Sequence, residues 1–404
     1  MSAAAPIARP APSNPRFDYF DSLRAVAVVA ILVHHIAFYM GGQFTAWYGA
    51  LSARLGVGVT LFFLISGFLL YRPYAVSMLG GPPSPTIGVY ARRRALRILP
   101  AYWIALTLLA IWPGLTGVFT SEWWVQYALL QSNRLAWIFH GLHPAWSLSV
   151  EAAFYVVLPA LALALGRLGR GFGPSGRVRL QLFVLAGLGA AGLAYRGWIF
   201  HQNELDLRGT LPSFFFWFAV GMSVAVASAW WEGRESEGRT TAWLAAHPGA
   251  CWALAAAVFL GASWSSAFPR PFSKELYTTA SYCAEHVVYA LIALLVMLPA
   301  VFGEQARGLP RRVMGTRPFR FLGQISYGIF LWHDPLFGAL QLRGASNLIP
   351  GLPFLSLLLA GMPVILVCAW LSWRLVEKPA IAISHGRRPV RKADAARSSG
   401  LVGP

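Results

Sequence analysis

The sequence predicts an all-α protein, a polytopic transmembrane helical bundle of about ten spans with both termini in the cytoplasm. Three observations carry that reading. Of the 404 residues, 57% are hydrophobic and 12% are charged, against roughly 25% charged in soluble domains. Several apolar runs reach the roughly 20 residues that cross a bilayer as a helix, whereas a transmembrane barrel would show short alternating segments. The basic residues are also sorted. With the N-terminus placed inside, the outer segments hold only Arg54, Arg134, Arg196, Arg208, Arg270, Lys274 and Arg343, and the other 26 of the 33 lysines and arginines lie on inner segments. That asymmetry is the positive-inside signal, and an even number of spans agrees with it.

The expected spans are 21–40, 54–71, 98–112, 145–165, 180–197, 211–230, 249–267, 281–302, 319–341 and 351–375. The first is preceded by a polar, Pro-rich segment, 1–20, with no apolar core of a signal peptide. It is read as a cytoplasmic N-terminal segment, and the first span as an uncleaved insertion signal. The third run is short and is expected to extend into its flanks. The Trp-rich stretch 113–144 is expected at the interface, where indole rings sit well. The transmembrane domain is taken as 21–378. The segment 379–404 is basic, small and polar, and is expected to be a disordered or lipid-associated cytoplasmic tail.

The net charge of +18 raises nucleic acid as a partner. The basic residues cluster in short loops and at the ends, as topology signals and contacts to anionic headgroups do, and no nucleic-acid module is recognisable. No nucleic-acid partner is therefore expected, and membrane lipid is. Cys251, Cys283 and Cys368 fall in apolar runs without paired spacing, so they read as small buried hydrophobes and not as a disulfide or metal site.

Against this apolar background the ionisable residues inside spans stand out, because such groups are costly in a membrane and usually face a cavity. Arg24 and His35 lie eleven positions apart in DSLRAVAVVAILVHHIAFYM (21–40). At 100° per residue they share a helix face, about 16 Å apart along the axis. His34 is turned away by one step. In RRRALRILPAYW (92–103), Arg94 and Arg97 are neighbours on a helix face and could clamp phosphates, with Arg93 beside them. The simpler role for these arginines is a positive-inside anchor. Glu151, about two turns into PAWSLSVEAAFY (144–155), needs a partner or a wet pocket. It could bind a substrate hydroxyl, tune His35, or pair with an arginine. In ISYGIFLWHDPL (325–336), His333 and Asp334 fall near the depth of His35, with Ser326 and Tyr327 further inward. A packing role is the simpler reading for His333, as for Glu285 and His286.

Two patterns are set aside. Gly187, Gly189 and Gly192 form G-x-G-x-x-G within an apolar run, without a preceding strand, and small-residue helix packing explains them. His201 and Asp206 form H-x4-D, the spacing of glycerolipid acyltransferases, but in a short outer loop and without that family's other motifs.

Taken in order, FDYFDSLRAVAVVAILVHH (17–35), GVTLFFLISGFLL (58–70), RRRALRILPAYW (92–103), PAWSLSVEAAFY (144–155), ISYGIFLWHDP (325–335) and WRLVEKP (373–379) resemble the membrane-bound acyltransferase-3 family. The stretch 180–300 carries little signature. The resemblance implies transfer of an acyl group, commonly acetyl from acetyl-CoA, to a hydroxyl of a carbohydrate or glycosylated acceptor, in the cell membrane. It implies acyl-CoA as a donor substrate and no permanently bound cofactor or metal. It maps an Arg-x10-His pattern onto Arg24 and His35 and an Arg-x-x-Arg pattern onto Arg94 and Arg97. Some members carry a fused extracytoplasmic esterase-like domain, which is not expected here because the chain ends soon after the tenth span.

The chemistry of the residues agrees. Arg94 and Arg97 stand where a cytoplasmic polyanionic donor could dock, with Arg93 adding attraction. Neutral His35 suits removal of a hydroxyl proton, with direct attack of the hydroxyl on the thioester preferred over prior acylation of His35, and Arg24 and Glu151 complete the catalytic set. Arg24 lies more than a hydrogen bond from His35 and is expected to line the donor path or to hold Asp21. Asp21, Ser326, Tyr327 and His333 are expected around the substrate pocket. A glycan or lipid transporter or flippase without acyl transfer is the alternative that ten spans and inner arginines also fit, although no inverted repeat is visible.

Overall fold

A computed structural model describes residues 17–384, apart from 18, 43–46, 233–241, 244–245, 269–276 and 304–307. The described residues are helical and contain no strand. Ten helices form the frame: α1 (Phe20–Tyr39), α2 (Val57–Met78), α3 (Ile87–Leu109), α4 (Trp146–Leu168), α5 (Pro174–Gln202), α6 (Leu211–Trp231), α7 (Pro248–Trp264), α8 (Thr279–Val301), α9 (Ser326–Leu342) and α10 (Pro353–Ser372). Eight helical stretches are long and apolar enough to cross a membrane. The two remaining helices, α7 and α9, have 17 residues each.

Three boundaries differ from the sequence expectation in ways that matter. The third span begins at Ile87 and not near 98, so Arg92, Arg93, Arg94 and Arg97 all stand on α3. Thr86 caps it by accepting the Val89 N–H. The expected span 319–341 is broken at Ile325 into a short helix, Arg317–Gln324, and α9. The short helix presses on the start of α1: a Cβ at Gly323 would run into the carbonyl oxygen of Asp21. At the C-terminal end, α10 passes through a π-helical turn, Trp373–Glu377, into a further helix, Lys378–Ser384. Helix therefore continues past 378, and 385–404 lies outside the described residues, as does most of the N-terminal segment.

Small residues set the helix packing. A Cβ on Gly67 of α2 would meet the Phe218 carbonyl of α6, and one on Gly221 of α6 would meet the Leu64 carbonyl of α2. In lipid, where burying apolar surface gives no net drive, such close approach supplies the association. Gly189 and Gly192 likewise face α6, and Gly187 meets nothing, so the glycine pattern on α5 is a packing stripe.

The buried residues fall into two cores. One joins α2, α4, α6 and α8 to the first turns of α1. The other joins the later part of α1 to α3, α9 and α10. Helix α1 belongs to both, and the polar residues of the site lie along the seam. The outward surfaces are apolar, with Val156 and Phe183 each 79% exposed. Between α3 and α4, the Trp-rich connection forms short helices, Trp123–Tyr127 and Leu135–Ile138. It exposes Trp112, Trp123 and Trp124. The three cysteines are unpaired.

Candidate active site

The seam holds one polar cavity. Its walls are Arg24 from α1, Ser66 from α2, Arg94 and Arg97 from α3, Ser147, Glu151 and Tyr155 from α4, and Ser326 and Tyr327 from α9, completed by apolar residues such as Ile31, Phe62 and Phe330. Three guanidinium groups therefore face a space with one carboxylate, an arrangement that favours an anion. The volume is about 110 Å³. At roughly 10–15 Å³ per water it takes several waters or one narrow chain, and it is too small for a nucleotide.

Each wall residue is held by its own contacts. Arg24 Nη1 donates to Asp21 Oδ1 at 2.6 Å, three residues back on the same helix. Asp21 itself does not line the cavity; it aims the arginine. Glu151 accepts from the Ser66 hydroxyl. Arg94 lies 6.0 Å from the Tyr155 ring centroid, one turn beyond Glu151. Arg97 Nη1 is 3.7 Å from Glu377 Oε2, whose side chain is fully buried. The Tyr327 hydroxyl donates to the Ile98 carbonyl at 3.0 Å, and that of Ser326 to the Gly323 carbonyl at 2.8 Å. With their hydrogens committed, both can only accept from a ligand. Arg93, one step round α3 from Arg94, does not line the cavity. Arg92 is tied to the C-terminal helix through the Ile383 carbonyl at 2.7 Å.

His35 and His333 lie about one turn beyond the cavity: Ile31 and Phe330, which line it, precede them by four and three residues, so the offsets are about 6 Å and about 4.5 Å along the two helices. His35 Nδ1 and His333 Nε2 are 2.7 Å apart, and the rings are nearly coplanar, with centroids 4.9 Å apart and 8° between planes. Asp334 Oδ1 is 3.7 Å from His35 Nδ1 and accepts from the Tyr39 hydroxyl at 3.0 Å. Sequence spacing alone could not pair residues 298 positions apart. His333, expected to line the pocket, instead backs His35. His34 is 2.9 Å from the Ser52 carbonyl through its Nδ1, a structural contact.

The other candidates resolve as structural. Arg54 donates to Glu285 at 2.7 Å and to the Phe268 carbonyl. Tyr277 donates to the same Glu285 at 2.6 Å; burial and that carboxylate both push its phenol up, which keeps it a donor. His286 stacks on Trp217 at 3.9 Å. Asp206 accepts from the Leu135 N–H at 2.7 Å, and His201 is exposed, so H-x4-D joins no reactive cluster.

Ser66, Ser147, Tyr155, Asp334, Tyr39 and Glu377 are the site residues that reading the sequence left unassigned. Asp334 and Glu377 were detectable as carboxylates within apolar helices. Ser66 and Tyr39 carry no such signal, because hydroxyls are tolerated in membrane helices.

The acyltransferase-3 family, described as an acyltransferase domain, matches residues 17–374, and the chain belongs to it. It is a multi-pass membrane acyltransferase, so the transporter alternative gives way to an enzyme. Among its relatives is a protein named "Putative membrane-bound transacylase BcsY" from Komagataeibacter xylinus, 26% identical over 97% of this chain and 88% of that one. Nodulation protein 10 of Rhizobium leguminosarum bv. viciae is 24% identical over 90% of this chain and 93% of its own. Peptidoglycan O-acetyltransferase OatA of Listeria monocytogenes is 24% identical over 78% of this chain, which spans 48% of OatA. No solved structure matches.

Proposed function

We propose that this acyltransferase takes its acyl group, acetyl by default, from acyl-CoA on the cytoplasmic side and delivers it to a hydroxyl of a carbohydrate or glycosylated acceptor at the cell membrane, with His35 as general base. The observation that carries the reading is the single cavity in which Arg24, Arg94 and Arg97 converge, one helical turn short of His35.

The donor's phosphates meet Arg94 and Arg97, whose planar guanidinium groups suit bidentate phosphate contacts. The nucleotide is larger than the cavity and stays at its mouth, and only the pantetheine arm and acyl group enter. Glu151, held by Ser66, offsets the charge of the arginines when no donor is bound. The acceptor hydroxyl gives its proton to His35 as its oxygen attacks the thioester carbonyl. The C–S bond then breaks, CoA leaves as thiolate, and His35 returns the proton to the sulfur. The net change is an ester and free CoA-SH. A general base near neutral pH contributes roughly 10²–10⁴-fold.

The test is transfer of labelled acetyl from acetyl-CoA to envelope glycans in membranes carrying wild type, His35→Ala or Arg94→Ala/Arg97→Ala. Transfer by wild type alone supports the reading. Full transfer by His35→Ala removes the general base, and full transfer by the double variant at limiting donor removes the phosphate site.

A further inference from the structure

The contacts of His333 decide which nitrogen of His35 is free to act. His333 Nδ1 faces two backbone carbonyls of its own helix, Ile329 O at 3.1 Å and Phe330 O at 2.9 Å. Carbonyl oxygens only accept, so a neutral His333 carries its proton on Nδ1 and holds its lone pair on Nε2. That Nε2 is 2.7 Å from His35 Nδ1. Two lone pairs cannot face each other at that distance, so His35 must donate through Nδ1. Its own lone pair is then on Nε2, the ring nitrogen not engaged by His333. A buried, fixed chain of one carbonyl pair and two imidazoles thus selects a tautomer, as a carboxylate does for the histidine in a serine-protease triad.

We propose that His333 is a positioning residue for acyl transfer: it accepts the Nδ1–H of His35 and so presents His35 Nε2 as the base, while Asp334 supplies the opposite charge for the imidazolium that forms. This rests on the reading of His35 as general base. When Nε2 takes the hydroxyl proton, His35 becomes a cation within the helix bundle. Asp334 Oδ1 lies 3.7 Å from the ring on the Nδ1 side and is fixed there by the Tyr39 hydroxyl, which donates to both Oδ1 and the Asp334 carbonyl. Tyr39 is one turn beyond His35 on α1, so a single helix face supplies the base and the anchor of its counter-charge. On α9, His333 and Asp334 are adjacent and both buried. The paired residues tie α1 to α9 at the point where the reaction is placed.

The experiment reads the tautomer directly and needs no acceptor. Protein labelled with ¹⁵N-histidine in lipid bilayers gives nitrogen spectra in which His35 is assigned by its loss in His35→Asn. The expected result is a neutral His35 with Nδ1 protonated and Nε2 bare. In His333→Gln the amide oxygen can still accept from Nδ1, and the tautomer should persist. In His333→Ala it should revert to the Nε2–H form usual for a free imidazole. In the transfer assay, His333→Ala should lose about a hundredfold or more in kcat with little change in KM for acetyl-CoA, and His333→Gln should recover most of it. A wild-type His35 protonated on Nε2 overturns the proposal, and so does a His333→Ala enzyme with wild-type kcat. If His35→Ala itself keeps full activity, the general-base reading fails instead, whatever the tautomer.

Discussion

Arg97 is the residue on which the donor site can be tested most simply. It faces the cavity from the middle of α3 and meets the buried Glu377 at 3.7 Å. A charge-assisted hydrogen bond to phosphate contributes about 1.5–3 kcal/mol, or roughly ten- to a hundredfold in affinity. Arg97→Ala should therefore raise KM for acetyl-CoA at least tenfold, a loss partly masked by high donor concentration, as donor titrations in membranes would show. Arg93→Ala, off the cavity, should change it by less than about threefold. Glu151→Gln keeps the Ser66 contact but removes the balancing charge among three arginines. It should tighten binding of free CoA while lowering turnover, measurable by CoA inhibition of transfer; unchanged inhibition would contradict the balancing role. At this scale the sequence was informative wherever a charge interrupted an apolar run: Arg24, Arg94, Arg97 and Glu151 converge as such charges should. It was silent on partners, because the His35–His333 contact spans 298 positions and depends on how α1 meets α9.

Among the elements, α2 and α6 show how little room the frame leaves. Their backbones approach at Gly67 and Gly221, where any Cβ meets a carbonyl of the opposite helix. Gly221→Val should destabilise the bundle by about 1–3 kcal/mol, the usual cost of overpacking. A lower midpoint of thermal unfolding in detergent would show it, whereas Gly187→Val, facing open space, should leave the midpoint near wild type. Hydropathy located the apolar runs well but misjudged where helices start and stop. The start of α3 at Ile87 was hidden because four arginines lower the local hydropathy without breaking a helix, arginine being a good helix former. The break at Ile325 was hidden for the opposite reason: the apolar pattern runs through it, and the chain turns there because the Arg317–Gln324 helix packs on the first turn of α1. The π-helical turn at Trp373–Glu377 has no recognisable pattern at all, yet it accompanies the burial of Glu377 beside Arg97.

Across the whole molecule, donor and acceptor must approach the site from defined sides. Two cores share α1, and the cavity runs along their seam from the arginines of α1 and α3 towards the histidine pair. A cytoplasmic donor can use that path only if the α2–α3 connection lies inside. Single cysteines at Ser84, between α2 and α3, and at Glu204, after α5, test this in a background where Cys251, Cys283 and Cys368 are replaced. A membrane-impermeant thiol reagent applied to intact cells should label Glu204→Cys and spare Ser84→Cys; the reverse pattern would put the arginines on the wrong side for acyl-CoA. The fold class was legible because its signal is compositional and summed over hundreds of residues. The route through the bundle was not, because it is made by pairs of helices distant in the chain.

The central claim is that the arginine-lined cavity feeds an acyl-CoA thioester to His35. The most direct measurement is transfer of labelled acetyl from acetyl-CoA to envelope glycans by membranes containing wild type or His35→Ala in equal amounts. Labelled glycan from wild type and a loss of about a hundredfold or more in the variant are expected. Equal labelling by both would contradict it.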